Sequence, residues 1–302
     1  MKQRFLKKIP IVFAGFLALL SIACQTSSKN LTRNPPPADS VDRLPLGDGK
    51  ISRSPQRGYI WTCQQQFSGG VGAFRDGDWI YSDNTFDPTR KIIVGGDVAW
   101  DNLRFAINLL GDVRRITGNS LPAHHTGVFP VRSDDEAYNY DRNPNSINEI
   151  NIAFDLPANP QLADAPACVP MNMIGVMKSG AALFSGVDEA GRDAVAHEIQ
   201  DKCNGHPEQA GRYHYHNISR CLEGNAPANE HSLLGYALDG FGIYGTRAEN
   251  GQVLHNEDLD ECHGHAHEIL WDHQKIVMYH YHATAEYPYV IGCLRGKIVT
   301  KR

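Results

Sequence analysis

The tetrapeptide Tyr-His-Tyr-His occurs twice in this chain, at Tyr213–His216 and Tyr279–His282. In a β-strand, residues i and i+2 share a face. His214 and His216 therefore point one way and Tyr213 and Tyr215 the other, and His280 and His282 stand likewise against Tyr279 and Tyr281. A third cluster, Cys262-His-Gly-His-Ala-His267, lies between the two copies. Of the 14 histidines, twelve fall between His197 and His282. Neutral imidazole is the commonest metal ligand among side chains, so a metal site is the first hypothesis to weigh.

Each tetrapeptide closes a longer unit that also appears twice. Ile174-Gly-Val-Met-Lys-Ser-Gly180 and Leu183-Phe184 open the first, against Leu234-Gly-Tyr-Ala-Leu-Asp-Gly240 and Ile243-Tyr244 in the second. Asp188-Glu-Ala-Gly191 matches Ala248-Glu-Asn-Gly251, and Asp201-Lys-Cys-Asn-Gly-His206 matches Asp260-Glu-Cys-His-Gly-His265. Cys221-Leu222 and Cys293-Leu294 follow the histidine strands. Landmarks in one order, offset by about 60 residues, indicate an internal repeat over units of about 173–222 and 233–294. Two copies are expected to pack as pseudo-symmetric halves, with the histidine strands near the shared axis.

The chain starts as an export signal. Lys2, Arg4, Lys7 and Lys8 precede an apolar run from Ile9 to Leu20, and Leu20-Ser-Ile-Ala-Cys24 follows. The run is short for a bilayer span, and small residues ahead of a cysteine resemble a bacterial lipoprotein signal. Residues 1–24 are thus read as signal and lipobox, with Cys24 the lipidated residue and the membrane of the cell envelope its partner. Residues 25–57, polar and containing Pro35-Pro-Pro37, read as a flexible tether. Residues 58–299 are long enough for one domain. The net charge is −5 with acids and bases mixed, so no basic stripe points to nucleic acid.

Removing Cys24 from the seven cysteines leaves six. An even number in an exported chain points to disulfides, and equivalent cysteines should be treated alike in both units. That selects Cys203–Cys221 and Cys262–Cys293, leaving Cys63–Cys168. The rival is that Cys203 and Cys262 ligate metal as thiolates. Turn signals and β-branched runs predict a mainly β fold with a few helices. Strands are expected at Tyr59–Trp61, Trp79–Tyr81, Ile92–Val94, Ile150–Phe154, Met173–Met177, Leu233–Ala237, Ile276–Tyr281 and Tyr289–Ile291. Helices are expected from Asp101 to Val113, on the spacing of Leu103, Ile107, Leu110 and Val113, and at Ala194–Lys202.

Gly211-Arg-Tyr-His-Tyr-His216, Leu234-Gly-Tyr-Ala-Leu-Asp-Gly-Phe-Gly-Ile-Tyr-Gly245, Leu259-Asp-Glu-Cys-His-Gly-His265 and Tyr279-His-Tyr-His-Ala283 resemble the YHYH-domain family of exported bacterial proteins. The resemblance runs from about Met173 to Arg295. It implies the domain and export, and leaves the chemistry to the residues.

His214, His216, His280 and His282, with His206 and His265 after equivalent Cys-x-Gly turns, are the candidate metal ligands, converging on one or two sites. Copper and zinc both suit imidazole. Asp239, Asp260 or Glu261 could add a carboxylate. Met171, Met173, Met177 and Met278 read as core filling ahead of copper(I) ligation. Three functions follow: an envelope protein binding copper or zinc; a metal-dependent hydrolase, with three histidines leaving a place for water; or an enzyme with Cys293 as nucleophile, after the faint likeness of Gly292-Cys-Leu-Arg295 to cell-wall transpeptidases. No substrate is legible.

Overall fold

The structure, a computed structural model, describes residues 43–67, 69, 73–223 and 232–297. The signal, Cys24 and most of the tether lie outside the described residues. Residues 43–57 do not behave as tether. Leu44 and Leu46 are buried in the main core, and the Gly47 N–H donates to the carboxylate of Asp193 at 2.8 Å. Apolar Leu44 and Leu46 in an otherwise polar stretch are what draw it in. Among the described residues no helix is long and apolar enough to cross a membrane.

The fold is mainly β, as the turn signals predict. A small sheet joins β1 (Leu44–Pro45), β2 (Ile80–Tyr81) and β3 (Thr85–Phe86). A second holds β4 (Phe105–Leu110), β5 (Val113–Gly118) and β6 (Ile152–Pro157). Strand β7 (Leu162–Ala167) pairs with the C-terminal β16 (Leu294–Gly296). The main sheet contains β8 (Met173–Met177), β9 (Ala182–Phe184), β10 (Gly205–Pro207), β11 (Tyr213–Tyr215), β12 (Leu233–Ala237), β13 (Gly242–Tyr244), β14 (Gly264–Trp271) and β15 (Gln274–His282). Helices α1 (Ala194–His197) and α2 (Arg220–Glu223) are single turns.

The main sheet runs β10-β11-β9-β8-β12-β13-β15-β14, an order that reads the same from either edge once corresponding strands are matched. Its centre is the antiparallel pair β8–β12, with Gly175 opposite Ala237 and Gly235 opposite Met177. On one side Tyr215 lies parallel to Leu183, on the other Tyr281 to Ile243. His206 faces His214 across one hairpin, and His265 faces His280 across the other. The histidine strands are therefore not at the centre, as the sequence suggested. Five strand spacings separate β11 from β15, roughly 24 Å at about 4.8 Å each. The central pair is instead the most apolar segment of each half, which must be covered on both faces.

One face carries Tyr213, Tyr215, Tyr279 and Tyr281 into the main core with Leu183, Ile243 and Phe241. On the other, Ile116, Ile152 and Leu156 of the β4–β6 sheet pack against Val176, Tyr236, Tyr244 and Trp271.

Two local expectations fail. The segment expected as a helix from Asp101 to Val113 is the β4–β5 hairpin, with Leu110 opposite Val113 around Gly111-Asp112. Gly111 takes φ +60, which a two-residue hairpin turn requires. Phe105 and Ile107 are half-buried between exposed Ala106 and Asn108, a period of two that the leucine spacing masked. Tyr289–Ile291 is buried but irregular, because Tyr289 sits at φ 69 and its hydroxyl donates to Asp193. Tyr59–Trp61 and Ile92–Val94 contribute single bridges, at Ile60 and Val94.

Candidate metal centres

The strand that brings each cluster its outer histidine is set by one motif. Asp201 accepts from the Cys203 and Gly205 amides at 2.8 and 3.3 Å and from the Tyr213 hydroxyl at 2.9 Å. Asp260 repeats this with Cys262, Gly264 and Tyr279 at 2.9, 3.0 and 3.0 Å. A Cβ on Gly205 would lie 2.2 Å from the Tyr213 ring, and one on Gly264 2.5 Å from the Tyr279 hydroxyl. Glycine in Cys-x-Gly-His thus lets tyrosine pass over the turn and leaves the next histidine facing the opposite side.

The six predicted histidines form two clusters, the second of the two arrangements the spacing allowed. In the first, the Nε2 atoms of His206 and His214 lie 3.3 and 3.1 Å from that of His216. In the second, His265 and His280 place Nε2 atoms 3.2 Å apart, and the potential ligand atom of His282 lies within 4.8 Å of theirs. Phe184 stacks on His214, and Tyr244 meets His280 edge-on.

Each cluster takes one carboxylate, and neither is among those the sequence nominated. Glu198 Oε2 is 3.0 Å from His216 Nε2 and 3.4 Å from His206 Nε2. Glu249 Oε1 is 3.0 Å from His280 Nε2 and 3.7 Å from His265 Nε2. Buried Asp239 and half-buried Asp260 are instead anchors for Tyr281 and Tyr279, and Glu261 is exposed. Glu249 stands in the Ala248-Glu-Asn-Gly251 stretch, a visible signal. Its counterpart Glu189 is exposed, however, and the first cluster draws on Glu198 beyond α1.

The tautomers follow from the carbonyls around the rings. A carbonyl only accepts, so the ring nitrogen facing it carries the proton. His214 and His216 donate Nδ1–H to Arg212 and Ser185 at 3.2 and 2.5 Å. His280 and His282 donate to Met278 and Gly245 at 3.0 and 2.8 Å. In a neutral ring of that tautomer Nε2 carries the lone pair and points into the cluster. At His216 and His280 it faces a carboxylate oxygen at 3.0 Å, a pair of acceptors that a proton or a metal ion must bridge. Adding protons there is unfavourable: burial, followed by the neighbouring imidazoles, holds His206 well below the ordinary 6.5. Burial does the same to His214, and burial lowers His280. Buried Nε2 acceptors beside a carboxylate call for a cation. Both groups could hold a metal ion.

The remaining candidates have other roles. Cys203–Cys221, Cys262–Cys293 and Cys63–Cys168 are disulfides with Cα–Cα distances of 5.4, 4.5 and 4.9 Å. This removes Cys203 and Cys262 as thiolate ligands and Cys293 as a nucleophile, and leaves His124, near Cys203 and Cys221, without a thiolate to share a metal. His124 instead bonds the Tyr215 hydroxyl at 2.7 Å. His263 is fully enclosed between the His282 and Val290 carbonyls, Asn256 and Thr284, and burial pushes it down to about 4. Met171, Met173, Met177 and Met278 pack in the cores.

A family model described as YHYH protein matches residues 153–253. The matched stretch includes the whole first cluster and Glu249 but ends before His265, His280 and His282. No curated protein and no solved structure is significantly similar to the chain.

Proposed function

We propose that this chain is an exported, lipid-anchored metal-binding protein that holds two divalent ions, and that its clusters suit zinc. The observation that carries the reading is the orientation of the rings: His214, His216, His280 and His282 each give Nδ1 to a backbone carbonyl and turn Nε2 toward other imidazoles and a carboxylate. Hydrogen-bonded Nδ1 with Nε2 directed inward is the arrangement that orients metal-bound imidazole.

The spacing admits a tetrahedral zinc site, and the absence of any thiolate or thioether in either group leaves imidazole and carboxylate, ligands zinc accepts. Tetrahedral ligands at a zinc–nitrogen distance of about 2.05 Å lie about 3.3 Å apart, whereas ligands at right angles lie about 2.9 Å apart. The nitrogen–nitrogen separations are 3.1, 3.2 and 3.3 Å. In the second cluster three imidazoles and a carboxylate oxygen lie within 4.8 Å of one another, enough for a four-coordinate site; in the first, three imidazoles meet and Glu198 approaches only His206 and His216. The four-ligand set of the second cluster supports binding over hydrolysis, which needs a position for water. Three disulfides support an oxidising compartment and therefore export, and Leu20–Cys24 supports the anchor.

Elemental analysis of gently purified protein tests the reading, with two zinc ions per chain expected. Protein without stoichiometric metal, binding titrated zinc and copper no more tightly than a surface histidine pair does, would make the clusters hydrogen-bond networks.

A further inference from the structure

The two clusters use corresponding histidines but differ in what stands beside them. In the first, His206, His214 and His216 are 4%, 3% and 5% exposed. Strand β10 stops at Pro207, and the next residue, Glu208, turns away to accept from the Ala210 and Arg212 amides at 2.7 and 3.2 Å. The turn offers this cluster no imidazole; its Arg212 carbonyl accepts from His214 Nδ1 at 3.2 Å. In the second, β14 continues as an edge strand to Trp271, and the residue corresponding to Glu208 is His267. Its side chain is 56% exposed, its ring lies 4.2 Å from that of His265, and its Nδ1 is 3.0 Å from Glu249 Oε2. Glu249 thus has one oxygen on the cluster histidines and the other on a solvent-facing imidazole. It lies in the turn closed by the Arg247–Val253 bridge, and its side chain is 24% exposed.

We propose that the clusters divide the work: the Glu198 cluster keeps its ion, and the Glu249 cluster exchanges its ion with solution by way of Glu249 and His267. This rests on the metal-binding reading. A four-ligand site must lose a ligand before an ion can leave. Glu249 can move toward His267 while the buried imidazoles of His280 and His282 stay fixed by the Met278 and Gly245 carbonyls. His267 Nε2, in solvent, then offers the departing or arriving ion an intermediate ligand. Its expected cargo is a free or weakly chelated divalent transition ion. Among the described residues the imidazoles within ion-pair distance of Glu198 are His206 and His216, whose side chains are 6% and 5% exposed.

The test is stopped-flow release of zinc from the two-zinc protein into excess chromophoric chelator. Two phases of equal amplitude are expected, at least tenfold apart in rate. His267→Ala should slow the fast phase several-fold and leave the slow phase and the stoichiometry unchanged. Glu249→Gln should alter the fast phase alone, and Glu198→Gln the slow phase alone. If His267 merely braced Glu249, its loss would speed release, and the proposal would be wrong. One phase carrying both ions would also overturn it while leaving the metal reading standing; wild type without stoichiometric zinc would end both. His267 is a surface residue, so its variant tests the idea even if the buried variants fold poorly.

Discussion

His216 donates its Nδ1–H to the backbone carbonyl of Ser185 at 2.5 Å, and the same bond joins His282 to Gly245 at 2.8 Å. No side-chain substitution removes a backbone carbonyl, so these two rings keep one tautomer whatever surrounds them. Each is also the inner member of its cluster, next to the strand that leads back toward the centre of the sheet.

Removing either ring should therefore cost one ion and spare the other. His216→Ala should leave about one zinc per chain, as should His282→Ala, and the double variant none. The sites lie roughly 24 Å apart across the sheet, beyond the distance at which effects usually couple. Elemental analysis alongside circular dichroism checks this. A single variant that emptied both sites without unfolding would show them to be one cooperative unit.

Tyr281 should matter for stability and not for metal. Its hydroxyl donates to buried Asp239 at 2.6 Å and accepts from the Arg295 amide at 2.8 Å. Burial raises the Asp239 pKa, so a lost donor is poorly replaced. Tyr281→Phe should cost about 1–3 kcal/mol in a urea titration with zinc stoichiometry intact. An unchanged midpoint would mean that water takes over the bond.

The Cys262–Cys293 bridge closes a loop of 31 residues beside the second cluster. Chain entropy puts its contribution at about 3–4 kcal/mol. Replacing both cysteines by serine should lower the denaturation midpoint accordingly, and the zinc affinity of the Glu249 cluster should fall more than that of the Glu198 cluster. Equal loss at both would indicate global loosening.

Alternation and duplication of motifs were enough to read the histidine faces, the β class and the strands at Met173–Met177 and Leu233–Ala237, because each follows from period-two side-chain geometry. The disulfides were legible because corresponding cysteines had to be treated alike. The carboxylates were not legible. Glu198 and Glu249 come from non-corresponding positions, so comparing the units pointed at Asp239, Asp260 and Glu261, which hold tyrosines or face solvent. The choice between one centre and two was not legible for a different reason: strand order depends on which apolar segments need covering on both faces, and motif order along the chain does not reveal that. The hairpin at Phe105–Gly118 was masked by Leu109 and Leu110, apolar residues that the fold leaves exposed.

The stability of the metal-free protein should fall as the pH drops below about 6.5. His206, His214, His263 and His280 all have folded pKa values depressed by burial. An unfolded chain takes up protons near 6.5 while the fold resists them. Stability is thus fully present above that pH and is lost below it, until each folded pKa is reached. Each group should contribute about 1.4 kcal/mol of loss per pH unit. Bound zinc occupies the Nε2 positions of the cluster histidines, so the loaded protein should hold its melting temperature to lower pH and then lose metal and fold together over a narrower range. Thermal melts at half-unit steps from pH 8 to 4.5, with and without chelator, check both curves. Burial raises Asp141 and Asp201 to about 6, and their protonation favours the fold over the same range, so the histidine share is read from the difference between the two curves. Loaded and metal-free curves that run parallel from pH 7.5 to 5.5 would mean that zinc does not occupy these histidines, and the metal reading would collapse.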